Sequence, residues 1–497
     1  MLSRFISLAL NPDSPPAPAA SRLSLEGRHI HLVGIKGTGM CALAELLLDA
    51  GAVLEGSDTS EVFYTDAILR ELGIPFAEGF EKARLSPCCG LVIHSAAYDP
   101  SSNPVLAQAK ERGIACIKYT EALGAFSAMH SSAAIAGVHG KTTTTALAGV
   151  IARALGLPAR ILVGSAVADF DGRSTLSLGD EFFIAETCEY RRHFMSFRPK
   201  LILLTSVEPD HQDFFPTYES IRDAFVDFAL RLPDGGTLIY CADDPGATEV
   251  AGMVAQKRKD IRLIPYGLTA VGPWKITALE TLNERTVFRL EAYPSDDFVL
   301  RVPGWHTALD AAGALALMAS LGASSLDGAN IEEVKGSLEA FRGSKRRSEI
   351  VGEAAGVLVM DDYAHHPHAI MTTLEGYRSF YPARRLVVSF MSHTYTRTAA
   401  LLDEFARSLS LADVVILHKI YASAREKYTG GVNGRTLAET AARYHRDVRY
   451  YEEVLDPLEE LTADLKPGDL FVSMGAGDNW RLGVELLKKL KEKEERQ

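Results

Sequence analysis

The 497-residue sequence has few cysteines, no long apolar run and no excess of basic residues. Its six cysteines include no Cys-x-x-Cys pair, which argues against a disulfide framework and favours a reducing compartment. No stretch approaches the ~18 apolar residues of a membrane-spanning helix, so we expect a cytoplasmic protein without a membrane partner. The net charge of -12 argues against a nucleic-acid partner, which needs a basic face.

The first 27 residues lack the features of a secretion signal. The apolar run from Phe5 to Leu10 has six residues, fewer than the roughly 7–15 of a signal-peptide core. Proline, alanine and serine dominate the residues that follow. We therefore expect residues 1–27 to form a flexible leader.

Short apolar runs alternate with helical patterns through most of the chain. The run at 29–35 precedes a helical pattern at 40–51, and the run at 91–97 precedes another at 103–113. This alternation is typical of α/β folds with parallel sheets and right-handed crossovers.

Length and sequence breaks predict three domains after the leader. At about 150 residues per domain, the length allows roughly three. Breaks near 126–131 and 341–348 predict domains at 28–127, 128–341 and 342–497.

The clearest chemical motif is the glycine turn in AAIAGVHGKTTTTALAGV, residues 133–150, between a predicted strand and a predicted helix. Backbone N–H groups and the helix dipole favour phosphate binding at such a turn. Lys141 would reach the terminal phosphates, and the Thr142 hydroxyl would face a magnesium ion. The spacing is not that of a standard P-loop, because Ile135 occupies the place of its first glycine. A plain glycine turn with an exposed lysine is the alternative.

Two polar side chains follow predicted strands downstream of this turn. Glu186 closes the run at 182–187, and His211 follows the run at 201–207. Ligands of parallel sheets bind at the carboxyl ends of strands, so we expect both side chains near the phosphate turn. A carboxylate and a neutral imidazole suit a divalent metal such as Mg²⁺. Each residue alone is equally consistent with a solvated strand end.

The last third of the chain contains histidine-rich and arginine-containing motifs. The segment MDDYAHHPHAI holds His365, His366 and His368 after an apolar run, which favours a polar or metal site over a structural role. His393 and Arg397 follow another apolar run. The Arg397 guanidinium is suited to a carboxylate or a transferring phosphoryl group.

A second glycine turn lies near the start, in HLVGIKGTGMCALAE from residue 31. Its glycines join a predicted strand to a helix and are suited to a diphosphate. Asp58 stands about 20 residues on, where a ribose-binding acid often lies. Taken alone, this turn fits a dinucleotide-dependent oxidoreductase. That alternative leaves the lysine turn and the downstream carboxylate and histidine unexplained.

Taken together, these motifs resemble the Mur ligase family over about residues 28–485. GVHGKTTTT matches that family's shortened Gly-Thr-His/Asn-Gly-Lys-Thr loop, and VGIKGTGM, DDYAHHP, SHTYTRT, KIYASAREK and MGAGDNWRLG match other motifs of the family. The resemblance implies a Rossmann-like first domain that binds a UDP-sugar and a central ATP-binding ligase domain of the P-loop type with a parallel sheet. It also implies a Rossmann-like C-terminal domain that closes on ATP and an amino acid.

The resemblance implies an ATP-dependent, ADP-forming ligase of peptidoglycan precursor synthesis. ATP would phosphorylate the lactyl carboxylate of UDP-N-acetylmuramate, and the amine of L-alanine would attack the acyl phosphate. ATP and Mg²⁺ are the implied cofactors, UDP-N-acetylmuramate and L-alanine the implied partners, and a monomer or homodimer the expected state. The alternative within the family reattaches a whole tripeptide to the same UDP-sugar.

The resemblance also assigns roles to individual residues. The expected catalytic residues are Lys141, Glu186, His211, His393 and Arg397. The expected metal ligands are Thr142, Glu186 and His211. The expected ATP-binding residues are Gly137, His139, Gly140, Lys141, Thr142, Thr143, His306, Asp310, Arg346 and Asp362. The expected substrate-binding residues are Gly37, Thr38, Gly39, Met40, Ser57, Asp58, Ser95, His365 and His366.

Two departures from the family pattern bear on these roles. The family carries His-Asn-x-x-Asn where this chain has HTALD, ending at Asp310. An asparagine pairs with adenine N6 and N7, whereas a charged aspartate opposes the N7 lone pair, so the family's adenine contact is weakened here. A nucleotide-binding protein without catalysis is therefore a further alternative. ETCE replaces Glu-Ala-Asp-Glu and loses an acid at Cys188, while Glu186 and Glu189 keep carboxylates for a metal.

Overall fold

A computed structural model describes residues 2–11, 24–61, 63–99, 101–211, 214–322, 329–422, 430–475 and 477–495. Strands and helices alternate along these residues and form four sheets, which confirms the predicted α/β fold. The chain divides into two compact units. The first comprises residues 1–278, 288–298 and 306–339, and the second 279–287, 299–305 and 340–497.

The first unit opens with a five-stranded parallel sheet. Its strands are β1 (His29–Val33), β2 (Val53–Asp58), β3 (Phe76–Glu78), β4 (Cys89–His94) and β5 (Ala115–Lys118). Its helices are α1 (Leu2–Leu10), α2 (Thr38–Asp49), α3 (Thr65–Glu71), α4 (Pro104–Glu111) and α5 (Tyr119–Ala128). The strand order β3-β2-β1-β4-β5 places the first strand at the centre, as in Rossmann-like folds.

Helix α1 shows that the prediction of a flexible leader is wrong for residues 2–10. Phe5 is fully buried, and α1 packs against α5. The guanidinium of Arg198 donates to two carbonyl oxygens at the end of α1, at 2.6 and 2.7 Å. A six-residue apolar run is too short for a signal core, but helical spacing gives it one buried face. Residues 12–23 lie outside the described residues.

A seven-stranded sheet follows in the same unit. Its strands are β6 (Ser131–Ala136), β7 (Ala159–Val167), β8 (Arg173–Ser177), β9 (Phe182–Glu186), β10 (Leu201–Leu204), β11 (Thr237–Cys241) and β12 (Arg262–Tyr266). Its helices are α6 (Lys141–Ala154), α7 (Tyr218–Leu230) and α8 (Pro245–Lys257), with 3₁₀ turns at Ala168–Phe170 and Tyr190–Ser196. The order is β12-β11-β10-β6-β9-β7-β8, and only β8 pairs antiparallel. The three strands expected to carry the site, β10, β6 and β9, are therefore central neighbours.

A small sheet and two helices come next along the chain. The sheet has the order β13 (Ile276–Leu282), β14 (Arg285–Leu290) and β15 (Tyr293–Leu300). The helices are α9 (His306–Ser320) and α10 (Ala329–Ala340). Helix α9 packs against α6 and buries residues on nearly every side, so it extends the core of the phosphate-turn region.

The second unit is built on a six-stranded sheet. Its strands are β16 (Glu349–Ala354), β17 (Val357–Asp362), β18 (Arg385–Met391), β19 (Val414–Leu417), β20 (Val448–Tyr450) and β21 (Asp469–Gly475). Its helices are α11 (Pro367–Phe380), α12 (Tyr395–Ala400), α13 (Leu402–Ser408), α14 (Gly434–Ala441), α15 (Leu458–Asp464) and α16 (Trp480–Glu495). The order is β16-β17-β21-β18-β19-β20, parallel except for β16. Among the described residues, no helix is long and apolar enough to span a membrane.

Candidate functional site

The turn between β6 and α6 has a backbone that requires glycine. Gly137 and Gly140 have φ values of 140° and 80°, and a Cβ on Gly137 would overlap the Thr205 hydroxyl. That hydroxyl donates to the carbonyl of His139 at 2.5 Å, and the Ser206 hydroxyl accepts from the His139 N–H at 2.9 Å. Thr205 and Ser206 follow β10 directly and were not among the residues expected from the sequence. A hydroxyl pair at the end of a central strand is the signal that points to them.

Lys141 folds back over this turn. Its ammonium group donates to the carbonyls of Gly137 and Val138 and to Glu189 Oε2, the last at 2.9 Å. The side chains of Lys141 and Glu189 are only 13% and 4% exposed. An ammonium group held at the turn contradicts the alternative of an exposed, idle lysine.

Glu186, at the end of β9, contacts the first turn of α6. Its Oε1 accepts from the Thr142 hydroxyl at 3.1 Å, and its Oε2 accepts from the Gly164 N–H at 2.7 Å. A Cβ on Gly164 would lie 2.7 Å from the same carboxylate. The close approach of β7 therefore fixes where the Glu186 carboxylate lies.

His211 faces a different carboxylate. Its Nε2 lies 3.4 Å from Glu189 Oε1 and 3.7 Å from Asp210 Oδ2. Glu189, Asp210 and His211 each offer a ligand atom within 4.8 Å of the others. The expected metal ligands are thus divided between two carboxylates. Thr142 contacts Glu186, whereas His211 faces Glu189. Asp210 was not among the expected metal ligands, although it directly precedes His211.

Asp310 lies directly beneath the phosphate turn. A Cβ on Gly140 would come within 2.7 Å of its Oδ1, which accepts from the Thr144 hydroxyl at 2.9 Å. Burial raises the pKa of the Asp310 carboxyl to about 7. At neutral pH this side chain is therefore partly protonated, which a sequence pattern alone does not reveal. His306 begins α9 and is exposed.

A cavity of about 390 Å³ joins the second glycine turn to the end of β9. Four expected substrate-binding residues line it together with Glu186: Gly37, Gly39, Met40 and Ser95. A Cβ on Gly39 would lie 2.9 Å from the Tyr119 hydroxyl, so the turn needs glycine there. Lys118, Tyr119 and His193 also line the cavity. Lys118 ends β5, Tyr119 begins α5 and His193 follows β9, and no sequence motif marks them.

Two other expected substrate residues lie behind the glycine turn. Ser57 is fully buried and hydrogen-bonded to His31 at 3.0 Å. Asp58 accepts hydrogen bonds from the Lys36 N–H at 2.7 Å and from the Tyr98 hydroxyl at 3.0 Å. Burial of the Tyr98 hydroxyl, together with the nearby charge of Asp58, raises the pKa of Tyr98 to about 12. The structure places Asp58 where it supports the turn.

In the second unit, two expected ATP-binding residues make internal contacts. The Arg346 guanidinium lies 3.1 Å from Asp361, donates to the carbonyl of Gly475 at 2.5 Å and covers the Tyr363 ring at 4.9 Å. Asp362 accepts from the N–H groups of Ser348 and Ala364, each at 2.8 Å, and burial raises its pKa. These contacts hold the carboxyl end of β17.

Two histidines of the second unit, His365 and His393, lie near Arg397. The rings of His365 and His393 lie 6.2 Å apart. Burial, with Arg397 and His393 nearby, lowers the pKa of His365. One guanidinium nitrogen of Arg397 is buried without a hydrogen-bond partner among the described residues. His366 and His368 are exposed. The described histidines of this segment do not form a metal-binding group of three.

The fold and the phosphate turn define an α/β phosphate-loop protein with a second glycine turn beside it. Three family models match the chain: the Mur ligase family catalytic domain at 29–131, the Mur ligase middle domain at 135–318, and the Mur ligase glutamate ligase domain at 346–477. The chain belongs to the Mur ligase family.

Two relatives cover nearly the whole chain. A protein of Treponema pallidum (strain Nichols) named UDP-N-acetylmuramate–L-alanine ligase is 50% identical over 471 residues, covering 94% of this chain and 98% of its own. A protein of the same name from Desulfitobacterium hafniense (strain Y51) is 37% identical over 466 residues, covering 92% and 99%.

Two solved structures share the fold. UDP-N-acetylmuramate-alanine ligase from Thermotoga maritima superposes with a TM-score of 0.73 at 23% identity, covering 94% of this chain and 99% of its own. A murein peptide ligase from Psychrobacter arcticus gives a TM-score of 0.60 at 25% identity, with the same coverage of 94% and 99%.

Proposed function

We propose that this protein is an ATP-dependent ligase that joins L-alanine to the lactyl carboxylate of UDP-N-acetylmuramate in peptidoglycan precursor synthesis. The observation that carries this proposal is the cavity of about 390 Å³, because it places the second glycine turn beside the phosphate-turn carboxylate Glu186. A UDP-sugar held at the glycine turn would then present its acid group near ATP. The names of the relatives at 50% and 37% identity support the same chemistry.

The phosphates of ATP bind at residues 137–142. The N–H groups of the turn and the positive end of the α6 dipole favour the phosphates. Lys141 balances the negative charge of the phosphoryl group during transfer, where positioning and electrostatics supply most of the catalysis. Its contacts with the carbonyls of Gly137 and Val138 keep the ammonium group at the turn.

The neighbouring side chains fit a magnesium ion. Thr142, Glu186 and His211 would hold it, with Glu189 and Asp210 adjacent. A set dominated by oxygen donors suits Mg²⁺, which keeps several waters and phosphate oxygens as ligands. When bound, the ion offsets negative charge as the carboxylate approaches the triphosphate.

The reaction proceeds in two group transfers. A lactyl carboxylate oxygen attacks the terminal phosphorus of ATP, and the bond to ADP breaks. The L-alanine amine then attacks the acyl phosphate carbonyl, phosphate leaves with the bonding electron pair, the nitrogen gives up a proton to solvent, and an amide remains. We assign to His393 and Arg397 the stabilisation of the acyl phosphate. We assign to Arg346 and Asp362 the binding of the nucleotide. The UDP-sugar would bind to the domain at residues 28–127, and ATP to the domain at 128–341. The domain at 342–497 would close on ATP and the amino acid. A cytoplasmic location and a monomeric or homodimeric state remain predictions.

Phosphate release from Mg²⁺-ATP with UDP-N-acetylmuramate tests this function. L-alanine, glycine, L-serine and the tripeptide L-Ala-γ-D-Glu-diaminopimelate are supplied in parallel. We expect the highest kcat/KM with L-alanine. Release with the tripeptide alone would make the protein a peptide-reattaching ligase, and ATP binding without release for any acceptor would contradict catalysis.

A further inference from the structure

The second glycine turn contains a lysine that does not face the cavity. Lys36 lies between Gly34 and Gly39, where a cation would be expected to contact a bound diphosphate. Its side chain is instead fully buried, and Lys36 is not among the residues that line the cavity. The ammonium group therefore acts on the protein behind the turn.

The Lys36 ammonium group joins three segments of the first unit. It donates to the carbonyl of Glu61 at 2.9 Å and to Glu78 Oε1, at the end of β3, at 3.2 Å. It also lies 3.3 Å from Asp66 in α3 and 5.3 Å from the centre of the Phe76 ring. A buried ammonium is costly unless it is paired and hydrogen-bonded, so these groups define one position for Lys36.

The backbone of Lys36 is held as firmly as its side chain. Its N–H donates to Asp58 Oδ2 at 2.7 Å, and its carbonyl accepts from the Thr65 hydroxyl. Two residues on, the Thr38 hydroxyl accepts from the Tyr64 hydroxyl at 3.0 Å. The turn is thus attached to Asp58, Tyr64 and Thr65, none of which is among the residues that line the cavity.

We propose that Lys36 is a positioning residue that holds the glycine turn in the conformation that accepts a nucleoside diphosphate, through Glu61, Asp66 and Glu78. This inference rests on the proposed function only for the identity of the ligand, a UDP-sugar. Lys36 does not touch that ligand. Its loss allows the turn to shift, and a misplacement of about 1 Å in a binding or catalytic site can cost about 100-fold.

Binding of UDP alone, measured by calorimetry, tests the inference without turnover. We expect Lys36→Met to raise the Kd for UDP and the KM for the UDP-sugar by about 10–100-fold. Its kcat and its KM for ATP should stay within about threefold, because a lost interaction that held the ground state and the transition state equally raises the KM for the UDP-sugar without changing kcat. Lys36→Arg, which keeps the charge, should recover part of the UDP affinity.

Two further variants keep the test decisive if Lys36→Met does not fold. Glu78→Gln removes the negative charge of a partly exposed partner of Lys36 but keeps an oxygen that can accept its hydrogen bond; it should weaken UDP binding by about threefold, as expected for the loss of a partly exposed ion pair. Arg70→Met is the matched control, because Arg70 lies 3.9 Å from both Asp66 and Glu78 but is 64% exposed and does not contact the turn. It should leave UDP binding unchanged.

Three results would overturn the inference. The first is a UDP affinity equal to that of the wild type in folded Lys36→Met or in Glu78→Gln. The second is a loss of UDP affinity in Arg70→Met as large as that in Glu78→Gln. The third is a wild-type protein that does not bind UDP. Failure of the proposed function would look different, because UDP would still bind while L-alanine-dependent phosphate release was missing.

Discussion

The carboxyl of Asp310, beneath the phosphate turn, should make this protein's stability depend on pH. The perturbation is Asp310→Asn, which keeps the shape of the side chain and an oxygen for the Thr144 hydroxyl. In the wild-type protein burial raises the Asp310 pKa from its ordinary value of 3.8 to about 7. The folded protein therefore keeps this proton up to about pH 7, while the unfolded chain releases it near pH 4.

The magnitude follows from the difference between the two pKa values. Unfolding releases a proton between about pH 4 and pH 7, so the free energy of unfolding falls as the pH rises through this window. A shift of about three units at 1.36 kcal/mol per unit amounts to at most about 4 kcal/mol. Asparagine carries no proton, so the variant should gain stability relative to wild type over this window and then stay level. Above pH 7 it should also bind ATP more tightly, because no carboxylate opposes the phosphates.

Urea unfolding of both proteins between pH 5 and pH 8 measures this difference, with the KM for ATP measured in parallel. Asp234→Asn is the control for the exchange itself, since it makes the same change at a fully exposed carboxylate. A stability difference between Asp310→Asn and wild type that stays constant from pH 5 to pH 8 would refute titration of Asp310 in this range.

Three other substitutions test the site and the fold. Lys141→Met should lower kcat by about 100–1000-fold, because it removes the cation at the phosphate turn; phosphate release measures it. Gly164→Ala should raise the Mg²⁺ concentration for half-maximal activity by about tenfold, since its Cβ would lie 2.7 Å from the Glu186 carboxylate; a magnesium titration of activity measures it. Phe5→Ala should lower the free energy of unfolding by about 3 kcal/mol, since Phe5 is fully buried; urea unfolding measures it.

Each of these has a matched control elsewhere in the chain. Lys200→Met changes an exposed lysine, Gly252→Ala adds a Cβ with no atom within 4 Å, and Leu10→Ala changes a residue of α1 that is 53% exposed. Turnover by Lys141→Met at the level of its control would contradict the phosphate role. An unchanged magnesium dependence in Gly164→Ala would contradict the role of Glu186 as a metal ligand. An unchanged free energy of unfolding in Phe5→Ala would contradict the packing of α1 against α5.

The order of strands and turns was predictable because apolar runs and glycine turns are local features. The run expected at 182–187 is β9, Phe182–Glu186, and the helix expected after Gly140 is α6. The lysine turn and Glu186 could also be predicted, since parallel strands direct their carboxyl ends to one edge.

What the sequence did not reveal depends on contacts between distant segments. Glu189 was noted only as a remaining carboxylate, yet it pairs with both Lys141 and His211. Asp58 matched the spacing of a ribose-binding acid, but its carboxylate accepts hydrogen bonds from Lys36 and Tyr98, and it is not among the residues that line the cavity. No periodicity in one segment encodes which partner another segment will supply.

The most direct test of the account follows the lactyl carboxylate itself. UDP-N-acetylmuramate with heavy oxygen at both positions of that carboxylate is incubated with the protein, Mg²⁺-ATP and L-alanine, and the products are analysed by mass spectrometry. The account predicts one heavy oxygen in each phosphate released and one alanyl residue added to each UDP-sugar consumed. Released phosphate that carries no heavy oxygen, or a UDP-sugar of unchanged mass, would contradict it.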